Sequence, residues 1–476
     1  RDGFRVPRSR RSFRTENPAT ERPLASIADC NGEDVDDAVA AARRAFTGGW
    51  RAMAPERRQR HLLALADAVS LDRDTLALLD CLEMGMPISE ALAAVDETAQ
   101  FLRFYAACID QPRGGVLTAD ERHVLAMNWY EPRGVIGIIA PWNYPLLVAA
   151  SAIAPALAAG NTMVVKPSEV TPSSVLRLAA IAVSRGIPPG VINVVPGRGG
   201  TGAALARHGD VDQIQFTGSS ATARRIMVHA GESNGKPVLL EGGGKSPQII
   251  FADALGLDGL GASIVASAFA NSGQICVART RLLVERGIVE DVVQLMEAHT
   301  KRLFTIGSPL DEAVNFGPLA SRAQRSRVQG FLDAGALEQA GFMPLGTGGT
   351  QPETGYFMQP GLFGHASAEM RVAREEIFGP LLALIPFDTE EEALRLANDG
   401  AYGLAATAWT SDLGRARRLM RDLDAGRVEI RSGNAPGAPL THLAAEPFRG
   451  SGHGVLGGIE GMRAYQRLKA AQIITG

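Results

Sequence analysis

The chain has 476 residues, 46% of them hydrophobic and 21% charged, with 53 Gly, 27 Pro and four Cys. At roughly 150 residues per domain this suffices for about two or three domains with sizeable cores, which excludes collagen-like, disordered and mini-protein classes. Forty-eight basic against 51 acidic residues leave a formal charge of −3, so no global positive excess draws the chain to nucleic acid or an anionic membrane.

Cys30, Cys81, Cys108 and Cys276 are too few and too scattered for a disulfide framework, and no C-x-x-C or Cys/His cluster points to a metal. A reduced, cytoplasmic setting is expected. The longest apolar stretch, Val135 to Ala159, is interrupted by Pro141, Asn143, Pro145 and Pro155, so it is not read as a membrane span. The chain begins on Arg1 rather than Met, and its basic start through Arg11 reads as a surface-exposed leading strand. Only five of the 48 basic residues are Lys (166, 236, 245, 301, 469).

Residues 33–110 read as helices, opened by acidic starts such as Glu33-Asp34-Val-Asp-Asp37 and expected to cover one face of something larger. From about residue 134 short apolar runs ended by Pro or Gly take over: Val135–Ala140, Thr162–Val165, Val191–Val195 and Gln213–Phe216. Helical stretches at 146–159, 172–185, 201–208 and 220–230 alternate with them, the signature of β-α-β units and a parallel sheet. A second series follows, with strands predicted at Gln248–Phe251, Arg281–Val284 and Leu381–Ile385 and helices at 258–270, 287–303, 320–334, 389–398 and 412–424. The prediction is two α/β domains meeting near residue 245. Segment 111–132 and the tail from 447 fit neither series and read as arms that add to another sheet. Gly197-x-Gly199-Gly200-x-Gly202 is a loose glycine fingerprint, read as a turn.

Several residues stand where chemistry can occur. Cys276, in Asn271-Ser-Gly-Gln-Ile-Cys-Val-Ala-Arg279, lies between a helix and a strand, where helix-end amides can lower a thiol pKa and make a nucleophile; a lone Cys is otherwise a small buried hydrophobe. Glu241 follows Val238-Leu-Leu240 and precedes Gly242-Gly-Gly-Lys245-Ser-Pro, a place for a general base toward water or, alternatively, a loop acid. Asn143, between Pro141 and Pro145, is a turn Asn or an amide donor to an oxyanion. Lys166 and Glu169 follow a strand and can both reach a ribose, the carboxylate favouring NAD over NADP by repelling a 2′-phosphate. Phe216-Thr-Gly218-Ser219 ends a strand and opens a helix whose free amides suit a pyrophosphate.

Taken together, Pro141-Trp-Asn-Tyr-Pro145, Lys166-Pro-Ser-Glu169, Phe216-Thr-Gly-Ser219, Glu241 with Gly243-Gly-Lys245-Ser-Pro247, Gly273-Gln-Ile-Cys276 and Glu375-Glu-Ile-Phe-Gly-Pro380 occur in one order and spacing. In them the chain resembles the NAD(P)-dependent aldehyde dehydrogenase superfamily, from Asn17 to Tyr465. The resemblance implies two Rossmann-type parallel-sheet α/β domains plus a β arm: an NAD-binding domain (1–110 and 133–243), a catalytic domain (244–445), and an oligomerisation arm and tail (111–132 and 446–476) of a homodimer or homotetramer. It implies that Cys276 attacks a small-molecule aldehyde, that Asn143 and the Cys276 N–H hold the oxyanion, and that Glu241 activates the hydrolytic water, with no metal. Ile139, Trp142, Lys166, Glu169, Gly218, Ser219, Gln324, Glu376 and Phe378 are the implied NAD contacts. Glu241 also favours hydrolysis over transfer to coenzyme A.

The resemblance places Tyr144, Val148, Ser151, Ile275 and Val277 in the substrate funnel, small at Val148 and Ser151 and so wide at its entrance. Loop 432–446 is expected as the outer wall, with Glu446 attracting an ammonium group. Leu82-Glu-Met-Gly-Met-Pro-Ile-Ser89 is similar to the branch that oxidises amino-aldehydes; aromatic and aliphatic aldehydes stay open. The chain departs from the family at Gly242 (usually Leu, adding backbone freedom), Ala223 (usually Gly, crowding the helix), a shortened Pro447–Gly450, Leu456 (no second base) and Arg467 (an altered ionic contact of the arm). Competing readings are a cofactor-independent cysteine esterase using Cys276 and a non-enzymatic protein that retains the fold.

Overall fold

The acidic-headed sequence that opens the chain forms the helices Gly32–Ala45, Pro55–Leu71, Arg73–Met84 and Ile88–Cys108. Asn31 and Asp34 close a reciprocal capping box at the first of them. These come from a computed structural model that describes residues 3–111, 114–117, 123–439 and 441–475. The first two residues of the leader, 112–113 and 118–122 of the arm, 440 of the outer-wall loop and 476 of the tail lie outside the described residues. The leader is not a strand: the first strand, Ser12–Asn17, pairs with Arg22–Ala28, and Arg8 instead clasps Asp37 at 2.6 Å.

The first large sheet has the order Gly452–His453, Val238–Glu241, Gln213–Thr217, Val135–Ile139, Thr162–Lys166, Ile192–Val194. All neighbours are parallel except the tail strand Gly452–His453. Strand order reverses on either side of Val135–Ile139, so a crevice opens at the carboxyl ends of Val135–Ile139 and Gln213–Thr217. Such a switch point is where open α/β sheets take ligands. The second sheet runs Phe342–Pro344, Gly361–Phe363, Leu381–Phe387, Arg281–Glu285, Pro247–Ile250, Ala405–Trp409, Arg427–Arg431, with only the first pair antiparallel. Gly242–Ser246 joins the two sheets. Val124–Pro132 pairs antiparallel with Gly114–Leu117 and with Gln466–Ile474, forming a separate sheet.

Two readings need correction. The tail does not act as one arm: Phe448–Arg449 pairs with Tyr402–Gly403, Gly452–His453 joins the first sheet beside Glu241, and only Gln466–Ile474 reaches the arm. The glycine stretch read as a turn is helical from Gly199: after the loop 195–198, Gly199, Gly200 and Gly202 open the helix Gly199–Arg207. Asn161, fully buried, ties the layers together. Its amide donates to the Ala156 and Tyr465 carbonyls and accepts from the Gly134 N–H.

Candidate active site

Helix Leu260–Phe269 ends in a tight turn in which Asn271, Ser272 and Gly273 all take left-handed φ values (48°, 54° and 73°). Two successive non-glycine residues in that region store backbone strain and must be held from outside. The Ser272 hydroxyl donates to the Gly317 carbonyl at 2.7 Å, the Asn271 amide to the Asn143 carbonyl at 3.0 Å, and Gly273 lies against the Gly379 carbonyl with no room for a Cβ. The strained turn delivers Ile275, Cys276 and Val277 as partly open residues between buried neighbours.

Asn143 is buried, and its amide donates to the Gln274 carbonyl at 3.0 Å. Gln274 is anchored in turn, accepting from the Ala320 N–H and donating to the Asn271 carbonyl. The Asn143 amide carries a second proton, so it is a fixed donor next to the Cys276 segment.

Glu241 closes its strand between Thr217 and Gly452. The glycines after it are there for space. A Cβ at Gly243 would run into the Glu376 carboxylate, and one at Gly244 would stand 2.6 Å from the Cys276 carbonyl. The Gly244 N–H donates to Glu376 at 3.0 Å. Gly242, expected to add backbone freedom, is held in place. Its N–H is held by the Ser451 carbonyl at 2.7 Å, and a Cβ would meet Ser220 Oγ and the Gly450 and Ser451 carbonyls at 3.0–3.2 Å. The tail at Gly450 and Ser451 thus takes up the room beside Gly242.

Electrostatics correct a second expectation. Cys276 follows no helix N-terminus, and burial together with the carboxylates of Glu241 and Glu376 pushes its thiol up to about 12. Burial pushes Glu241 up to about 8 against the opposing charge of Arg427. Both groups hold their protons more tightly than the free side chains do. Cys30, Cys81 and Cys108 are buried packing residues.

At the crevice of the first sheet, Lys166 ends its strand buried and bonds Glu169 at 2.8 Å. Burial opposes the charge of Glu169, but Lys166 wins and holds its carboxyl below the usual range. Ser219 caps helix Ser220–Glu232 by accepting the Thr222 N–H, leaving the first-turn amides directed at the crevice. Gly218 stands against the Phe216 ring, and Ala223 is absorbed in the core below. These features fit a dinucleotide: a switch-point crevice, a helix N-terminus, and a Lys/Glu pair at the next strand end. Trp142 and Phe378 meet edge to face, ring centres 5.2 Å apart. Phe378 is left-handed (φ 62°), held by Gln324, which donates to its carbonyl at 2.7 Å. Arg327 grips the Glu376 and Ile377 carbonyls from the same helix. Gln324 thus acts on the Glu376–Phe378 segment, and the Ile139 side chain sits in the core.

Tyr144, Leu147, Val148 and Ser151 form the partly open stripe of helix Pro145–Ala159, whose remaining residues are buried. The Ser151 hydroxyl turns back to the Val148 carbonyl at 2.9 Å. Tyr144 donates to Glu90 on helix Ile88–Cys108. His442 of the outer loop stacks on Phe104 of that helix at 4.8 Å. The Glu446 carboxylate, expected to attract an ammonium group, accepts the Gly454 N–H at 2.9 Å through one oxygen. Arg467 pairs across the arm sheet with Glu131 at 2.8 Å.

Sequence reading missed Glu90, Arg327, Ser451, Arg427 and Arg279. Arg279 stood within the Cys276 motif and donates to the Val277 carbonyl and to Thr407. The others come from distant segments, Glu90 and Ser451 standing just beyond the stretches Leu82–Ser89 and Pro447–Gly450. Among the described residues no group of His, Cys, Asp and Glu could hold a metal ion, and no helix is long and apolar enough to cross a membrane.

Residues 4–471 match the family model described as "Aldehyde dehydrogenase family". The chain is 42% identical to the NADP/NAD-dependent aldehyde dehydrogenase PuuC of Escherichia coli (strain K12), over 89% of this chain and 85% of that protein. It is 42% identical to the aminoacetaldehyde dehydrogenase of Pseudomonas aeruginosa, over 90% and 86%. Its fold superposes on a mutant form of the P. syringae indole-3-acetaldehyde dehydrogenase AldA in complex with NAD+ and IAA, with TM-score 0.95, 37% identity and coverage of 100% and 96%.

A half-buried thiol with a raised pKa has a measurable consequence. In the free protein, alkylation of Cys276 by iodoacetamide, followed by peptide mapping, should accelerate about tenfold per pH unit above neutrality, since only the thiolate reacts. A rate already level at neutral pH contradicts the protonated state.

Proposed function

The chain belongs to the aldehyde dehydrogenase family, and on that premise we propose that it oxidises an aldehyde to a carboxylic acid with NAD, through a thioester on Cys276 that water hydrolyses. The observation that carries this reading is the Gly242–Gly244 link. It leads from Glu241 to the Gly244 N–H, which donates to the Glu376 carboxylate, and passes so close to Glu376 and the Cys276 carbonyl that neither Gly243 nor Gly244 has room for a side chain.

In this reading the first sheet and residues 1–110 form the NAD-binding domain, with Lys166 and Glu169 on the adenine ribose, the Ser219 helix on the pyrophosphate and Glu376 on the second ribose. Glu169 disfavours the 2′-phosphate of NADP. Cys276 gives its proton to a solvent water, its Sγ bonds to the aldehyde carbon as the C=O π pair moves onto oxygen, and the oxygen that becomes negative is met by the Asn143 amide and the Cys276 N–H. NAD, when bound, supplies the hydride acceptor. Glu241 then takes a proton from water whose oxygen attacks the thioester carbon, the C–S bond breaks and the acid leaves. The carboxylate at this position supports hydrolysis over acyl transfer to coenzyme A. The arm, with Val116, Leu117, Leu125, Leu468, Ile473 and Ile474 exposed, supports a homodimer or homotetramer.

A further observation favours an ω-amino aldehyde. Glu90, Glu97 and Phe104 stand seven residues apart on helix Ile88–Cys108 and so share one face. Tyr144, bonded to Glu90, feels the charges of Glu90, Cys276 and Glu97. Partly buried Glu97 is an acid that an ammonium group would neutralise, and burial raises its pKa. The similarity to an aminoacetaldehyde dehydrogenase agrees.

Cys276→Ala is expected to abolish NADH formation, and Glu241→Gln to leave a burst followed by a slow steady state. In the unaltered enzyme the hydrolytic rate should rise with pH through about 8, because a carboxyl whose pKa is raised accepts a proton only above that value. Turnover by Cys276→Ala, or an unchanged steady state in Glu241→Gln, contradicts the roles. Ester cleavage without NAD beside undetectable aldehyde oxidation would favour the esterase. Glu97→Gln should raise KM for an ω-amino aldehyde about tenfold, the worth of roughly 1.4 kcal/mol, and leave a neutral aldehyde of equal length unaffected. Equal effects on both would remove Glu97 from substrate selection.

A further inference from the structure

Three segments far apart in sequence meet at the tip of Tyr144. Helix Ile88–Cys108 is capped by Pro87, so its third residue, Glu90, faces a cap that has no N–H and cannot close the capping box an acid at this position usually forms. The Ile88 N–H goes instead to the Pro309 carbonyl at 2.8 Å, which pins the helix start from outside. The Glu90 carboxyl is left to bond outward. It accepts the Tyr144 hydroxyl and the Asn271 backbone N–H. Burial opposes its charge, and these two donors favour it. An acid placed only for the helix dipole would serve as well pointing into water; this one is turned inward onto two donors.

Those bonds close a ring around the junction of the site. Tyr144 follows Asn143, the Asn143 carbonyl accepts the Asn271 amide at 3.0 Å, and the Asn143 amide donates to the Gln274 carbonyl at 3.0 Å. Asn271 is the first left-handed residue of the turn that delivers Cys276, with φ 48°. A non-glycine residue keeps that geometry when its surroundings hold it there. The two direct ties between the turns both run through Asn143 itself. Glu90 adds a third, with one end on the residue after Asn143 and the other on the residue that opens the Cys276 turn.

We propose that Glu90 is a positioning residue for the aldehyde oxidation described above: its carboxylate clamps the Asn143-Tyr144 segment to Asn271 and so keeps the Asn143 amide aligned with Cys276. The inference rests on the roles given there to Asn143 and Cys276. Glu90 acts through Tyr144 and Asn271 rather than on the substrate. Misplacing a reacting group by about 1 Å can cost about a hundredfold in rate, so a loosened clamp costs rate rather than binding.

Single-turnover NADH formation, with enzyme in excess over a neutral aldehyde and NAD saturating, tests this. Glu90→Gln keeps the shape of the side chain but puts an NH2 where one acceptor oxygen stood. At saturating enzyme it should slow NADH formation about tenfold, with the half-saturating enzyme concentration and the Kd for NAD within about twofold of the unaltered values. Tyr144→Phe should slow the same step, and it should cost less in the Glu90→Gln background than alone, because the two residues act as one tie. An unchanged rate in Glu90→Gln overturns the inference, as does a change confined to half-saturation, which makes Glu90 a substrate contact. Fully multiplicative effects of the two substitutions overturn it too. If Glu90→Gln does not fold, Tyr144→Phe decides alone, and an unchanged rate there overturns the inference. Absence of NADH from the unaltered protein with every aldehyde tried removes the oxidation reading and this inference together, whereas the other contrary results remove this inference alone.

Discussion

The close approach of the Gly242–Gly244 link to its surroundings is the constraint on which the site depends. Three positions without side chains let one backbone touch the tail at Ser451, the carboxylate of Glu376 and the carbonyl of Cys276. A strand end from one sheet, a strained turn from the other and a piece of the tail thereby meet within a few residues. The cost of that approach is borne elsewhere. Asn271 and Ser272 hold left-handed geometry through Asn143 and Gly317, and Phe378 holds it through Gln324.

Burial at this junction sets the protonation states. The thiol and Glu241 both lie where charge is disfavoured, so each resists ionising, and the thiol is not a preformed thiolate. In the proposed cycle the negative charge belongs to the moments when a substrate oxygen or an attacking water carries it, and the fixed Asn143 amide is placed for them. The same low-dielectric setting explains the Lys166–Glu169 pair, which carries its charge at a strand end where each group offsets the other's desolvation.

Much of this was legible in the sequence because it is local. Strand ends at Lys166, Thr217 and Glu241 and the helix start after Ser219 follow from apolar runs stopped by Pro, Gly or Ser, and the order of the motifs led to the family. Several strands were not legible. Ala405–Trp409 has three Ala and no run of branched residues, and Gly361–Phe363 is too short for a periodic signal. Features that depend on distant neighbours were misread. Gly242 suggested freedom until the tail strand was seen against it, and the Cys276 turn suggested helix-end amides that are not there. The partners of Tyr144 and of the Glu376 segment come from Glu90 and Arg327, which nothing nearby in sequence marks.

The central claim is a covalent acyl group on Cys276 whose removal needs Glu241. It is tested most directly by mixing Glu241→Gln protein with aldehyde and NAD, quenching in acid and measuring the mass of the peptide that carries Cys276. The account predicts that this peptide gains the acyl group of the aldehyde and that the unaltered protein clears it. An unmodified Cys276 peptide, or an acyl group on any other residue, would contradict it.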